Sequence, residues 1–181
     1  DPGMAFGTGL HPTTRTCLTL IEALLRPGDR VLDVGTGSGI LALAALKLGA
    51  ASVLGLDVSD VAVAAARANA AANAVAARFT VRLATLEGAA GEPYLPLPPG
   101  LVTLGAEIGT FDLVLANIIA RVIAQLAPAL LRAVRPGGQL IASGIIAERQ
   151  AEAEDALIAA GLTDLRHEQE GDWVTLSGTR S

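Results

Sequence analysis

The run Val31-Leu32-Asp33-Val34-Gly35-Thr36-Gly37-Ser38-Gly39 constrains the fold more than any other part of the sequence. Its aliphatic start reads as a short buried strand, and the closely spaced glycines make a turn that residues with a Cβ follow poorly. The turn runs directly into Ile40 to Leu48, an apolar segment that reads as a helix and stops at Gly49. A second strand, Ser52 to Asp57, follows, then an alanine-rich helix from about Asp60 to Asn73 and a third strand near Phe79 to Ala84. Strands alternating with helices of this length predict right-handed βαβ units and a parallel sheet.

The flanking segments extend this pattern. Thr13 to Leu25 carries Cys17, Leu20, Ile21 and Leu24 at helical spacing, with Thr13 or Thr14 as candidate caps and Arg26-Pro27-Gly28 as the stop. From Thr85 to Thr110 periodicity lapses, and Pro93, Pro96, Pro98 and Pro99 oppose a regular element, which predicts a long surface loop. Periodicity resumes with a strand, Phe111 to Ala116, and a helix, Ile118 to Val134. A turn at Pro136-Gly137-Gly138, a strand from Gln139 to Ser143 and a helix from Ala147 to Ala160 come next. Leu162 to Glu168 and Trp173 to Gly178, around Gly171-Asp172, read as an antiparallel hairpin at the sheet edge. The expectation is one α/β domain over residues 1–181, with a mostly parallel, seven-stranded sheet and helices on both faces.

Composition narrows the function classes. Of 181 residues 51% are hydrophobic but only 3% aromatic, so aliphatic side chains must fill the core. Net charge is −5 and no basic run occurs, which argues against direct nucleic-acid binding but is compatible with a basic protein partner. No apolar run approaches the ~18 residues that cross a bilayer, so no membrane association is expected. Cys17 is the only cysteine, which excludes an internal disulfide and a thiolate zinc cluster; no metal site and a cytoplasmic setting are expected. The start, Asp1-Pro2-Gly3, lacks a signal peptide's basic region and an initiator Met, so the chain reads as a fragment or a processed product.

The glycine turn points to a nucleoside ligand. Glycines let a ligand approach the backbone, and the following helix start offers free N–H groups. Asp57 ends the next strand, where a carboxylate in a βαβ unit lies beside the turn and can accept both ribose hydroxyls. The spacing is G-x-G-x-G, with Ile40 where a dinucleotide site has its third glycine, which favours a ligand without pyrophosphate. This combination resembles the class I methyltransferases, which bind S-adenosylmethionine on a Rossmann-like fold. Asn117 closes the strand expected beside the first one, at the crossing where open α/β sheets bind ligands. It can present an acceptor and a donor to a ligand, cap the helix at Ile118, or do both.

Asp1-Pro2-Gly3-Met4-Ala5-Phe6-Gly7-Thr8-Gly9-Leu10-His11-Pro12-Thr13-Thr14 narrows the resemblance to one family, the methyltransferases of ribosomal large-subunit protein eleven. Ala116-Asn117-Ile118, Ser143-Gly144-Ile145 and Gly171-Asp172-Trp173-Val174 agree with it. The resemblance implies that residues 1–14 cover the cofactor and that Thr14, Gly35, Asp57 and Asn117 contact it; Thr36 and Gly37, within the glycine turn, are expected to contact it too. It implies methylation of lysine side chains and/or the N-terminal amine of a basic ribosomal protein, with Asn117 orienting the amine and no base evident. It also implies an upstream substrate-binding domain, absent here, without which methylation should be poor. Two departures stand out: Ser59 where the family often has a second acid, and a longer proline-rich stretch from Gly91 to Gly109. Methylation of another protein or a small amine, a non-catalytic adenosylmethionine-binding module, and a nicotinamide-binding domain remain as alternatives.

Overall fold

The computed structural model describes residues 11–88, 101–105 and 109–181. The elements are α1 (Pro12–Leu24), β1 (Arg30–Val34), α2 (Ile40–Lys47), β2 (Ser52–Asp57), α3 (Asp60–Ala72), β3 (Phe79–Leu86) and β4 (Val102–Leu104). They continue with β5 (Phe111–Asn117), α4 (Ala120–Ala133), β6 (Val134–Ile146), a 3₁₀ turn (Ala147–Arg149), α5 (Gln150–Ala159), β7 (Leu162–Glu170) and β8 (Trp173–Arg180). The strands form one sheet in the order β4-β3-β2-β1-β5-β6-β8-β7. From β4 to β6 all neighbours are parallel, while β8 runs antiparallel to both β6 and β7. Mostly parallel strands and a C-terminal hairpin are thus as expected.

Among the described residues the sheet has eight strands rather than the expected seven. The additional one, β4, lies inside the stretch expected to be wholly loop and pairs in parallel with the end of β3, Ala84↔Val102. The prolines stop at Pro99, so the backbone N–H groups of Val102 to Leu104 are free to join a ladder at the edge. The rest of the proline-rich stretch, residues 89–100 and 106–108, falls outside the described residues. A second correction concerns Pro136-Gly137-Gly138, which is not a separate turn before a strand. It is absorbed into β6 as an irregularity: the β5–β6 register jumps from Phe111↔Val134 to Leu113↔Gln139.

Alternation along the strands divides the core into two layers. Leu32, Val34, Val114 and Ala116 pack under Ile123 and Leu130 of α4 and Leu157 of α5. Val31, Leu113 and Leu115 pack on the other face under Ile21 of α1, Leu41 of α2 and Val63 of α3. Both faces are covered, so strands such as β5 (FDLVLAN) are apolar almost throughout instead of alternating with polar residues. The same period of two carries Asp33 and Asn117 to the face of Val31, Leu113 and Leu115, at the carboxyl ends of adjacent parallel strands.

Leu115 is fully buried on a central strand, whereas Ile158 on α5 is 49% exposed. Leu115→Ala is expected to cost about 3 kcal/mol of stability through lost burial and a residual cavity, and Ile158→Ala about 0.5 kcal/mol or less. Urea unfolding of the two variants checks the contrast.

Candidate functional site

The turn after β1 is built by three different demands. Gly35 (φ +72°) and Gly37 (φ +55°) both occupy the left-handed region that favours glycine. A Cβ on Gly35 would meet the Ile118 side chain at 2.3 Å, so this glycine lets the turn pack against the chain leaving β5. A Cβ on Gly37 would meet nothing within 4 Å: its backbone faces open space. Gly35 and Thr36 donate their N–H groups to Leu56 O at 2.8 and 3.0 Å, which ties the turn to β2.

Two carboxylates brace the turn from either side. Asp33, 1% exposed, accepts a hydrogen bond from the Thr36 hydroxyl at 2.7 Å. Burial pushes the Asp33 carboxyl up to about 6; the Thr36 bond works against that rise, and the nearby Asp57 charge adds to it. Asp57 at the end of β2 accepts the Gly37 N–H at 2.9 Å through Oδ2 and the Ser59 N–H at 3.0 Å through Oδ1. Ser59 in turn caps α3, its hydroxyl accepting from Ala62 N at 3.3 Å. A carboxylate has about four acceptor positions, so both Asp57 oxygens keep capacity for further donors.

Thr14, Asp33, Gly35, Thr36, Gly37 and Asn117 line one cleft of about 100 Å³ at the carboxyl ends of β1 and β5. Five of the six residues expected to contact a cofactor therefore converge. Asp57 is not on the cleft wall; it stands one hydrogen bond away, through Gly37. Ser38, Ile40 and Leu41 also line the cleft; they were not among the expected cofactor contacts, because an N-terminal helix turn offers backbone groups whatever its side chains.

Asn117 does not cap a helix. Helix α4 begins at Ala120 with Ile119 in the cap position and no side-chain cap, so the capping role drops out. Its Oδ1 is buried and, among the described residues, without a hydrogen-bond partner. A buried acceptor left unpaired costs on the order of 1–3 kcal/mol, a cost that a ligand donor would remove.

The cap of α1 also differs from expectation. Neither Thr13 nor Thr14 caps it; His11 does, with Nδ1 accepting from Thr13 N at 3.4 Å and lying 2.8 Å from the Thr13 hydroxyl. The His11 ring is buried edge-on against Trp173, centroids 4.9 Å apart. That burial, helped by the Arg15 charge, lowers its pKa. The expected cofactor cover, residues 1–14, lies outside the described residues up to residue 10.

Because burial raises the Asp33 pKa, the folded state holds that proton more tightly than the unfolded chain does. Its contribution is present in full below the ordinary carboxylate range and is lost as pH rises through about 6. Asp33→Asn should match the parent near pH 4 and exceed its stability by up to about 3 kcal/mol at pH 8. Denaturant unfolding across that range checks the sign; a gap independent of pH would contradict the assignment.

The whole chain, residues 1–181, matches the family described as Ribosomal protein L11 methyltransferase (PrmA). A protein of that name from Chloroflexus aurantiacus is 48% identical over 97% of this chain and 56% of its own length. Another, from Symbiobacterium thermophilum, is 46% identical over 97% of this chain and 52% of its own. The chain thus spans about half the length of these curated relatives. A crystal structure of the ribosomal protein L11 methylase from Lactobacillus delbrueckii subsp. bulgaricus superposes with a TM-score of 0.76 at 34% identity, covering 100% of this chain and 83% of that one. By the family match over residues 1–181 and these identities, this chain belongs to the ribosomal protein L11 methyltransferase family.

Proposed function

We propose that this chain binds S-adenosylmethionine and transfers its methyl group to amino groups, lysine side chains and/or the N-terminal amine, of ribosomal protein L11. The observation that carries the reading is the Asn117 Oδ1, buried and without a partner among the described residues, on the wall of the cleft that holds the glycine turn. An amide oxygen can only accept, and an amine N–H is a donor it suits.

The donor set fits the cofactor. Gly37 faces open space and admits a nucleoside against the backbone. Asp57 sits beside it, with acceptor capacity for vicinal ribose hydroxyls. When bound, adenosylmethionine supplies a methyl group already activated on a sulfonium, so the chain's own task is position and desolvation. Asn117 holds the acceptor amine by one N–H, which leaves the nitrogen lone pair to point at the methyl. The amine must arrive uncharged, and a lysine amine with an ordinary pKa near 10.4 is favoured in that form by a site that keeps water out.

Transfer of isotope-labelled methyl from adenosylmethionine to ribosomal protein L11 tests the reading; no incorporation into any amine, with cofactor bound, would sink it. Asp57→Ala is expected to weaken cofactor binding by about 2 kcal/mol, roughly thirtyfold in Kd, as measured by calorimetry. Gly37→Val should weaken it further, because the new side chain occupies the approach and strains a positive φ. Asn117→Ala should lower kcat far more than it lowers cofactor affinity. Equal losses in both would make Asn117 a cofactor contact alone.

A further inference from the structure

A second recess, of about 320 Å³, lies at the same end of the sheet. Ile119, Ile146, Trp173, Gly144, Arg121 and Arg149 are among its walls. Its position follows from the chain path. Ile119 stands two residues beyond Asn117, and Gly144 follows Ser143, the register partner of Asn117 on β6. Ile146 and Trp173 are paired across β6 and β8. Two of the segments that wall the recess thus leave the carboxyl ends of β5 and β6 directly after Asn117 and its register partner.

Its chemistry has two parts. Ile119 is 46% and Ile146 37% exposed, and exposed large aliphatic residues gathered in one hollow mark a surface that gains from being covered. Among the described residues the charged lining groups are both guanidinium groups, on a chain of net charge −5. Arg149 donates to Glu152 at 3.0 Å, and a guanidinium with five N–H donors can engage a second carboxylate as well. An ammonium group is disfavoured here by like charge, so the hollow does not suit the reacting amine itself. Among the described residues Trp173 is the one aromatic wall, and it already packs edge-on against His11, while the two isoleucine walls offer no second ring for a run of stacked bases.

We infer that this recess seats the acceptor residues that flank the methylated amine, and that it selects a segment with an aliphatic side chain next to an acidic one. The inference rests on the reading of Asn117 as the amine's anchor. The aliphatic side chain fills the space between Ile119, Ile146 and the Trp173 ring, and the acid meets Arg121 and Arg149 at the rim. Which amine of a protein reacts is then decided in part by its neighbours, through binding energy away from the reacting atom. Arg121 and Arg149 act here as specificity-determining residues, with no part in the chemical step.

Trp173 is the only tryptophan of the chain, so its emission reports the recess directly. The experiment titrates short peptides with one lysine into the protein loaded with adenosylhomocysteine, whose own binding is first established by calorimetry. A lysine flanked by isoleucine and aspartate is expected to shift Trp173 emission and to bind about tenfold or more tightly than one flanked by serine and arginine. Arg149→Glu and Arg121→Glu should reverse that order, and Ile146→Ser should weaken the first peptide alone, with near-ultraviolet circular dichroism checking that each variant is folded. Affinity independent of the flanking residues, an unchanged order in the arginine variants, or a single-stranded oligonucleotide that shifts the emission in place of the peptides would each overturn the inference. Loss of adenosylhomocysteine binding in the parent protein would instead strike the underlying reading of the cleft, so the two failures are distinguishable.

Discussion

Strand β1 lies between β2 and β5, hydrogen-bonded in parallel to both, and the groups of the cleft take their places from that arrangement. The chain order reverses there: elements after β1 run outward through β2 and β3, and β5 returns to its other side. In such sheets the helices leaving adjacent strands diverge and open a crevice at the carboxyl ends. Asp33 and Asn117 project into that crevice because the two-residue period of a strand puts them on one face. Thr14 reaches it from α1, which packs across that same face through Cys17 and Ile21. Any shift of one residue in the β1–β5 register would turn the Asn117 side chain to the opposite layer.

The turn at the head of β1 shows how closely packing and binding are combined. Gly35 is required by the Ile118 side chain, whereas Gly37 presents bare backbone to the open side. Asp33 from below and Asp57 from beside hold the same short loop, one through Thr36 and the other through Gly37. Asp57 is itself held by Ser59, whose backbone N–H donates to its other oxygen. Hydrogen bonds that restrain a carboxylate before a ligand arrives lower the ordering cost of binding. Burying Asp33 works against stability at neutral pH, a pattern seen where a site is shaped at the expense of the fold.

The parts legible in the sequence were those set by local pattern. Alternating strands and helices, the glycine turn, Asp57 at a strand end and the C-terminal hairpin all follow from residue types at short range. What escaped depends on contacts between distant segments. Strand β4 is three residues long, too short for periodicity to register, and exists because the end of β3 offers it a partner. The capping role of His11 is tied to Trp173, far along the chain, whose ring packs against it. The irregularity after Val134 is set by β5, whose register jumps there. The place of Asn117 at the end of β5 was legible, but not that its Oδ1 has no partner among the described residues, because partnership is a property of the folded neighbourhood. The recess beside it draws on α4, β6, β8 and the intervening turn, and no single stretch of sequence announces it.

The most direct test of the account is a crystal structure of this chain with adenosylhomocysteine. The account predicts the nucleoside over Gly37, its ribose hydroxyls on the Asp57 carboxylate, and the sulfur facing the Asn117 side chain with room for an amine between them. A nucleoside bound elsewhere, or one in this cleft with its sulfur turned away from Asn117, would contradict it.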